Sequence, residues 1–347
     1  MNLRAAAVAA VLLPLALAGC GIATVADEEP FALPVGPTEW DATAPAWYAD
    51  GTLHVGERTV ELGDRVDQFV LGATGVYWMR GQTLWFTSAE GETEKVENVG
   101  WGNLAVSADR SVFATVDQSR GPTDDYGTHV IQVAAFDTRT GEQLYRTPDQ
   151  EPDDGADLAD LYGEIMPLLT GVSDERLFFD GATIDLADGS STEASQDADG
   201  IEVYVGLAET LFPDGYHVNI GGEGRHRELT GSSLYGVGRL SPDRSTIFDV
   251  SQWPTDAVAY EARTGRQRPI DAPWEHFTLV GWNDEDTFFG VAERIDPDAL
   301  EVLRAKQVVT CEVRTLACTP VSPVIATDDE EQGQYPTFLV EGNSNEL

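Results

Sequence analysis

Short runs of β-branched and aromatic residues, separated by Gly, Asp and Asn turns, recur along the chain from Ala46 onward. Clear examples lie at 51–55, 75–79, 111–116, 176–179 and 287–291. Runs of this length bounded by turn residues are typical of β-strands, and few stretches carry the periodicity of a helix. The pattern therefore predicts an all-β chain.

Comparable turns precede these runs and divide the chain into seven candidate units. The turns lie at 49–51, 73–75, 107–110, 173–176, 208–210, 241–244 and 283–286. Several units carry a second turn further along the chain, at 136–141, 184–189, 260–265 and 311–318. An inner turn followed by an outer hairpin is what a four-stranded propeller blade requires. We therefore predict a seven-bladed β-propeller, with six or eight blades as alternatives. A two-sheet sandwich is disfavoured because it is usually too small for seven units.

Two segments depart from the blade pattern. Residues 149–160 are rich in acids and lead into a helical pattern at 158–165 whose apolar face includes Leu161. An inserted loop and short helix are therefore expected between the third and fourth blades. The strand-like segment at 335–340 comes last, and we expect it to close the ring by pairing with the first blade, around 46–62.

The N-terminal residues have the pattern of a bacterial export signal. Arg4 is followed by an apolar run at 5–18, which is shorter than the roughly 20 residues that span a bilayer. The letters LAGC, ending at Cys20, resemble a lipobox, in which the cysteine thiol is acylated and the peptide is cut before it; an ordinary secretory signal is the alternative. The expected divisions are a signal peptide at 1–19, lipidated Cys20 with a Pro-rich and acidic tether at 20–45, the propeller domain at 46–340 and a tail at 341–347.

If Cys20 carries lipid, Cys311 and Cys318 remain as an even pair in an oxidising compartment. They lie in two short β-prone runs joined by a turn, so the thiols can face each other across a hairpin. A reactive or metal-binding pair is the alternative, but it lacks close C-x-x-C spacing and a nearby histidine. We predict a structural disulfide.

Two segments of the chain resemble the repeats of known propeller families. Residues 135–145, AFDTRTGEQLY, are similar to the blade repeat of pyrroloquinoline-quinone-like propellers, with Tyr145 where that repeat usually has Trp. Residues 240–245, LSPDRS, resemble the blade signature of WD-like and TolB-like propellers. Together with Cys20 and the cysteine hairpin, they make the chain similar to an actinobacterial lipoprotein with a β-propeller domain. The resemblance implies the fold and no particular activity.

Composition narrows the range of partners. The 347 residues contain 60 Asp and Glu against 21 Lys and Arg, a formal net charge of −39, and 42% of them are hydrophobic. That hydrophobic content is ample for a buried core, whereas the charge repels nucleic acid and anionic lipid surfaces. We therefore expect no nucleic-acid partner.

Recognisable catalytic chemistry is lacking in the sequence. The five histidines are scattered, and the chain has no H-E-x-x-H, G-x-S-x-G or G-K-[ST] motif, so we assign no catalytic residue, cofactor or metal site. Asp197, Asp199 and Gly200 begin like a calcium loop, but Gly206 stands where the closing acid belongs. Most tryptophans are interpreted as packing between blades: Trp47, Trp78, Trp85, Trp101, Trp253, Trp274 and Trp282.

The expected function is that of a monomeric, extracytoplasmic binding or interaction module at the cell envelope. Acylation of Cys20, for example with palmitate, would anchor it to the bacterial cell membrane, and its partner would be an envelope protein or a glycan. Two alternatives stay open: a propeller enzyme that acts on glycans as a hydrolase or lyase, and an accessory subunit of an envelope kinase or transporter.

Overall fold

The computed structural model describes residues 32–41, 44–63, 65–100, 103–107, 109–164, 167, 169–180, 182–193, 203–205, 208–211, 213–214, 217–219, 226–228, 238–241, 243, 245–249, 257–284, 286–295, 303–326 and 338–342. This part of the chain contains strands β1 to β30 and one short helix, α1 (Leu158–Glu164). The expectation of an all-β chain is confirmed.

Consecutive strands form antiparallel four-stranded sheets in the first half of the chain. Sheet 1 begins with β1 (Ala46–Ala49), β2 (Thr52–Val55) and β3 (Arg58–Glu61). Sheet 2 contains β4 (Gln68–Leu71), β5 (Gly75–Arg80), β6 (Thr83–Ser88) and β7 (Thr93–Gly100). Sheet 3 contains β8 (Leu104–Val106), β9 (Val112–Asp117), β10 (Gln132–Asp137) and β11 (Gln143–Arg146). Sheet 4 contains β12 (Leu169–Val172), β13 (Arg176–Phe179), β14 (Ala182–Asp185) and β15 (Ser191–Glu193).

The second half is organised less evenly. A six-stranded sheet contains β16 (Val203–Val205), β17 (Ala208–Leu211), β21 (Gly238–Leu240), β22 (Thr246–Asp249), β23 (Val258–Glu261) and β24 (Gln267–Pro269). A three-stranded sheet contains β18 (Pro213–Asp214), β19 (His217–Asn219) and β20 (His226–Glu228). The last sheet contains β25 (His276–Trp282), β26 (Thr287–Ile295), β27 (Leu303–Glu312), β28 (Cys318–Pro320) and β29 (Ile325–Ala326). The final strand, β30 (Phe338–Val340), returns to sheet 1.

Apolar clusters fill the spaces between sheets that follow one another. Clusters of this kind lie between sheets 1 and 2, sheets 2 and 3, sheets 3 and 4, and the six-stranded and last sheets. A further cluster joins Phe289 and Val308 of the last sheet to Trp47 and Val340 of sheet 1. The first strands of neighbouring sheets also lie side by side, β4 with β8, β8 with β12 and β12 with β16. Sheets that pack face to face in chain order, with the last against the first, define a β-propeller.

The C-terminal strand completes sheet 1. Antiparallel to β1, it places Val340 opposite Trp47, Leu339 opposite Tyr48 and Phe338 opposite Ala49. Strand β30 lies at the edge of sheet 1 that corresponds to the edge formed by β4 in sheet 2 and by β8 in sheet 3. The predicted pairing of the last strand with the first blade is thus confirmed. Seven blades remain a prediction, because β16, β17 and β21 to β24 share one sheet in the described part of the chain.

One turn recurs between the third and fourth strands of a blade. In sheet 3, the N–H of Gly141 donates to the carbonyl of Asp137 at 2.8 Å, and Gly141 has a φ of 74°. The same bond and a positive φ occur at Gly189, Gly265 and Leu316. Glycine adopts this left-handed conformation readily, whereas Leu316 is the non-glycine exception and its side chain is fully buried.

Both ends of the described chain pack against the sheets. Leu33 and Trp40, in the segment expected as tether, are buried, and the N–H of Leu33 donates to the carbonyl of Gly141 at 2.8 Å. At the other end, Glu341, in the expected tail, is buried against Arg110. The packed domain therefore includes residues on both sides of the 46–340 range.

The helix α1 lies between sheets 3 and 4, as predicted. The carboxylate of Asp124 accepts the N–H of Leu158 at 2.8 Å and those of Tyr126 and Thr128 at 2.9 and 2.8 Å, so it holds the loop against the start of the helix. Leu158 is buried, but Leu161 is 48% exposed. Tyr162 packs against the apolar cluster between sheets 3 and 4, and its hydroxyl accepts the N–H of Ile131 at 3.0 Å, so the helix contacts the sheets through Leu158 and Tyr162.

Candidate functional site

Of the predicted site residues, the structure describes the cysteine pair but not Cys20. Cys311 and Cys318 lie directly opposite each other on β27 and β28 and form a disulfide with a Cα–Cα distance of 4.0 Å, so the predicted pairing is present. Cys20 lies outside the described residues, as do Asp197, Asp199 and Gly200. Within the described ranges, no three His, Cys, Asp or Glu side chains are grouped so that they could hold a metal ion. In that same part of the chain, no helix is long and apolar enough to cross a bilayer.

Most of the tryptophans pack as expected. Trp47, Trp78 and Trp282 are buried in the clusters between sheets, and Trp85 and Trp274 pack at cluster margins. Trp101 and Trp253 lie outside the described residues. The aromatic side chains fill the space between sheets, which agrees with the packing interpretation.

Two recesses open at one end of the sheets. In an antiparallel meander, the turn between the first two strands and the turn between the last two lie at the same end. The first recess lies between the last sheet and sheet 1, and the second lies between the six-stranded sheet and the last sheet. Turns of both kinds line each recess. This end of the sheets therefore presents loops from several blades on one surface.

The first recess, named here the tryptophan–threonine recess, has a volume of about 570 Å³. Its lining includes Trp47, Asp284, Thr287, Thr310 and Thr319. The facing pair Thr310 and Thr319 comes from β27 and β28, and Trp47 comes from β1 across the junction of the sheets. Trp47 is only 4% exposed, so the threonine hydroxyl groups are what the recess offers for hydrogen bonds to a polar, uncharged ligand.

The walls of this recess are held in place by neighbouring groups. The indole of Trp47 stacks on the imidazole of His54, with ring centroids 4.8 Å apart and planes 2° from parallel. Burial lowers the pKa of His54, although Glu61 acts in the opposite direction, so the imidazole is neutral at pH 7. One carboxylate oxygen of Asp284 accepts the N–H groups of Asp286 and Thr287 at 2.8 and 2.7 Å, which orders the turn before β26.

The second recess, named here the arginine recess, has a volume of about 470 Å³. Its lining is Asp243, Ser245, Glu261, Arg263, Arg266, Arg268 and Arg314. Arg263 and Arg266 lie in the turn between β23 and β24 and Arg268 lies on β24, whereas Arg314 lies in the turn beside the disulfide. An Nη2 hydrogen bond of 2.6 Å from Arg268 to the carbonyl of Arg314 connects the two hairpins.

Sequence reasoning did not identify the arginine recess. Its signal is the segment RTGRQR at 263–268, with three arginines in six residues of a chain that holds 21 Lys and Arg in all. The fourth arginine is 46 residues further along the chain, so only the packing of the two sheets brings it to the others.

The comparisons with known proteins assign no activity to this chain. No family model matches the chain, and no curated protein matches it. Among solved structures, a TolB-type protein from Agrobacterium tumefaciens is 10% identical, with a TM-score of 0.37 over 82% of this chain and 89% of that one. The β-propeller domain of the Trilobed protease from Pyrococcus furiosus is 12% identical, with a TM-score of 0.42 over 78% of this chain and 86% of that one. Since both TM-scores are below 0.5, the assignment as a β-propeller rests on the sheet topology described above.

Proposed function

We propose that the protein is a lipid-anchored, extracytoplasmic β-propeller that binds a glycan of the bacterial cell envelope in the tryptophan–threonine recess. The observation that carries the proposal is the recess itself, whose lining combines three threonines with the largely buried Trp47 at the junction of two sheets. Binding sites often combine an apolar surface with a few convergent polar groups, and they occur where structural units meet.

The proposed location is supported by the lipobox-like residues and by the disulfide. Residues 17–20, LAGC, end at Cys20, the expected site of acylation. The bond between Cys311 and Cys318 is of the kind that persists in oxidising compartments. Two or more acyl chains on one cysteine would give stable anchoring.

Seven blades are part of the proposal. Sheets 1 to 4 and the last sheet supply five, β21 to β24 supply a sixth with the usual four strands in chain order, and β16 to β20 supply the seventh. In this count, the pairing of β17 with β21 joins two neighbouring blades into the observed six-stranded sheet.

Binding is tested with the mature chain carrying Cys20→Ser, mixed with purified cell-wall polysaccharide and sedimented. Thr319→Arg places a large charged side chain at the recess, and we expect at least a tenfold loss of binding, because the arginine fills the space the ligand needs. Thr192→Arg is the matched control, since Thr192 is exposed and occupies the same position after the equivalent turn of sheet 4. Equal binding by both variants would contradict the proposal, as would capture of a single envelope protein whose binding T319R leaves unchanged.

Anchoring is tested separately in cells. An alkyne-labelled palmitate should be incorporated into the wild-type protein and not into Cys20→Ala, which should leave the membrane fraction. Labelling of C20A at the wild-type level would contradict the assignment of Cys20.

A further inference from the structure

The arginines of the second recess are not required by the hairpin that carries three of them. The equivalent turn of sheet 3 closes with the corresponding hydrogen bond, and Gly141 has a φ of 74° where Gly265 has 70°. There, Arg139 occupies the place of Arg263, but Glu142 and Leu144 occupy the places of Arg266 and Arg268. The turn therefore forms equally well with an acid and a leucine at these two positions.

The recess has the opposite charge to the rest of the molecule. Four guanidinium groups against the two carboxylates of Asp243 and Glu261 give it a formal charge of +2, in a chain of net charge −39. The two carboxylates already accept other hydrogen bonds. Asp243 accepts the hydroxyl of Ser241 at 2.6 Å and the N–H of Ser245 at 2.9 Å, and Glu261 accepts the hydroxyl of Thr264 at 2.7 Å.

Two of the arginines, Arg263 and Arg266, have largely exposed side chains. The side chains of Arg263 and Arg266 are 83% and 73% exposed, and their nitrogen atoms lie 3.9 and 3.7 Å from the carboxylate of Glu261, beyond the length of a good hydrogen bond. Five planar N–H donors on each guanidinium can bind an oxyanion in a forked geometry. The donors of Arg263 and Arg266 are thus positioned beside the recess, and an incoming anion does not have to break a short ion pair with Glu261 to reach them.

The backbone under the arginines is held in place on both sides. Gly265 donates its N–H to the carbonyl of Glu261 at 2.7 Å, and the disulfide closes the hairpin that carries Arg314. The bond from Arg268 to the carbonyl of Arg314 fixes one hairpin against the other. Such pre-organisation reduces the entropy that a ligand must lose on binding.

We propose that the arginine recess binds a compact phosphate monoester. A phosphate monoester carries a charge of about −1.5 to −2 at pH 7, which matches the formal charge of the recess, whereas a single carboxylate compensates only half of it. The recess is within the size range of sites that hold a whole small molecule, so the ligand includes an organic group besides the phosphate. A long polyanion is disfavoured, because beyond the recess it would meet the strongly acidic remainder of the protein.

This inference goes beyond the proposed function, since it concerns another recess and another ligand. Binding is measured by isothermal titration calorimetry of glucose 6-phosphate into the mature chain with Cys20→Ser, at low ionic strength. Glucose is the uncharged control ligand. We expect binding of the phosphate ester and not of glucose, with an affinity that falls as salt is added, because exposed charges are screened.

The variants separate the recess from general charge effects. Arg263→Gln and Arg266→Gln should each weaken binding about fivefold, as expected for an exposed charge contact. Arg139→Gln is the matched control, because it removes the same charge at the same position of the equivalent turn, and it should leave the affinity unchanged. Equal losses for R139Q and R263Q would overturn the proposal, because the effect would then come from net charge alone.

A lipid headgroup is the other source of the same chemistry. Vesicles that contain phosphatidic acid, compared with vesicles of phosphatidylcholine alone, test this source by co-sedimentation. Binding to glucose 6-phosphate or to phosphatidic acid, sensitive to R266Q, supports the proposal and identifies the source. Failure of both to bind at concentrations up to about 10 mM would overturn it while leaving glycan binding at the tryptophan–threonine recess untouched.

Discussion

A buried ion pair joins the C-terminal strand to the rest of the propeller, and its removal is the sharpest test of ring closure. Arg110 and Glu341 have side chains only 6% and 5% exposed, with Nη2 and Oε2 2.7 Å apart. The guanidinium also donates to the carbonyls of Asp41 and Ala44 at 3.0 Å each, and the other oxygen of Glu341 accepts the N–H of Leu71 at 2.8 Å. One pair therefore contacts the N-terminal segment, sheet 2 and the end of β30.

Glu341→Gln keeps the size of the side chain and removes its charge. The guanidinium of Arg110 then stays buried without a counter-charge, and breaking a buried pair from one side costs about 3 kcal/mol. At about 2 °C per kcal/mol for a domain of this size, the melting temperature should fall by about 6 °C. The exposed Glu142→Gln, which removes the same charge from a surface turn, should change it by less than about 1 °C.

Thermal unfolding followed by circular dichroism at pH 7 measures both variants. The double variant R110M/E341L should recover much of the loss, because replacement of a buried pair by apolar side chains is often close to neutral. Melting temperatures for E341Q and E142Q that agree within about 1 °C would refute the reasoning, since they would show that the pair does not hold β30 in place.

Three further perturbations test other parts of the structure. Replacing Cys311 and Cys318 by serine should lower the free energy of unfolding by about 2.5 kcal/mol, because the disulfide closes a short loop in the unfolded chain; equal midpoints of chemical denaturation would exclude this contribution. Deleting residues 332–347 removes β30 and should lower the melting temperature of the whole domain, and an unchanged melting curve would show that sheet 1 is stable without this strand. Asp124→Asn should speed amide hydrogen exchange in α1, since its carboxylate accepts the first N–H of the helix, and unchanged exchange would contradict that role. Burial raises the pKa of Asp124, but its backbone hydrogen bonds outweigh burial and lower it. The contribution of Asp124 should therefore be complete above its ordinary pKa of 3.8 and be lost as the pH falls through the lowered value.

The strands could be predicted with fair accuracy because their signals are local. The run at 75–79 corresponds to β5, and the run at 176–179 coincides with β13. The turn segments at 136–141 and 260–265 were also visible, because glycine at a fixed position permits the positive φ that the turn requires. The helix before sheet 4 was predicted, but its pattern does not show that Leu158 is buried and Leu161 exposed, because a helical residue is buried only where another element covers it.

The two recesses were beyond the reach of sequence reasoning for a related reason. Thr310 and Thr319 belong to one hairpin, but Trp47 reaches the same recess from the opposite end of the chain. Likewise, Arg314 joins the other arginines only through the packing of the last sheet on the six-stranded sheet. Neither combination has a spacing that a motif could describe.

By itself, the sequence determined the all-β class, the position of many strands and turns, the cysteine pairing and the return of the last strand to the first sheet. The first three features depend on backbone preference, on alternation of apolar residues and on short loops, all of which act over a few neighbouring residues. The return of the last strand follows because that strand would otherwise have no partner. The tertiary structure alone decided which side chains share a recess, that the segment around Leu33 and Trp40 packs against the sheets, and that Glu341 is buried beside Arg110. These contacts join residues far apart in the chain, and they arise because sheets stacked around a ring bring the two ends of the chain together.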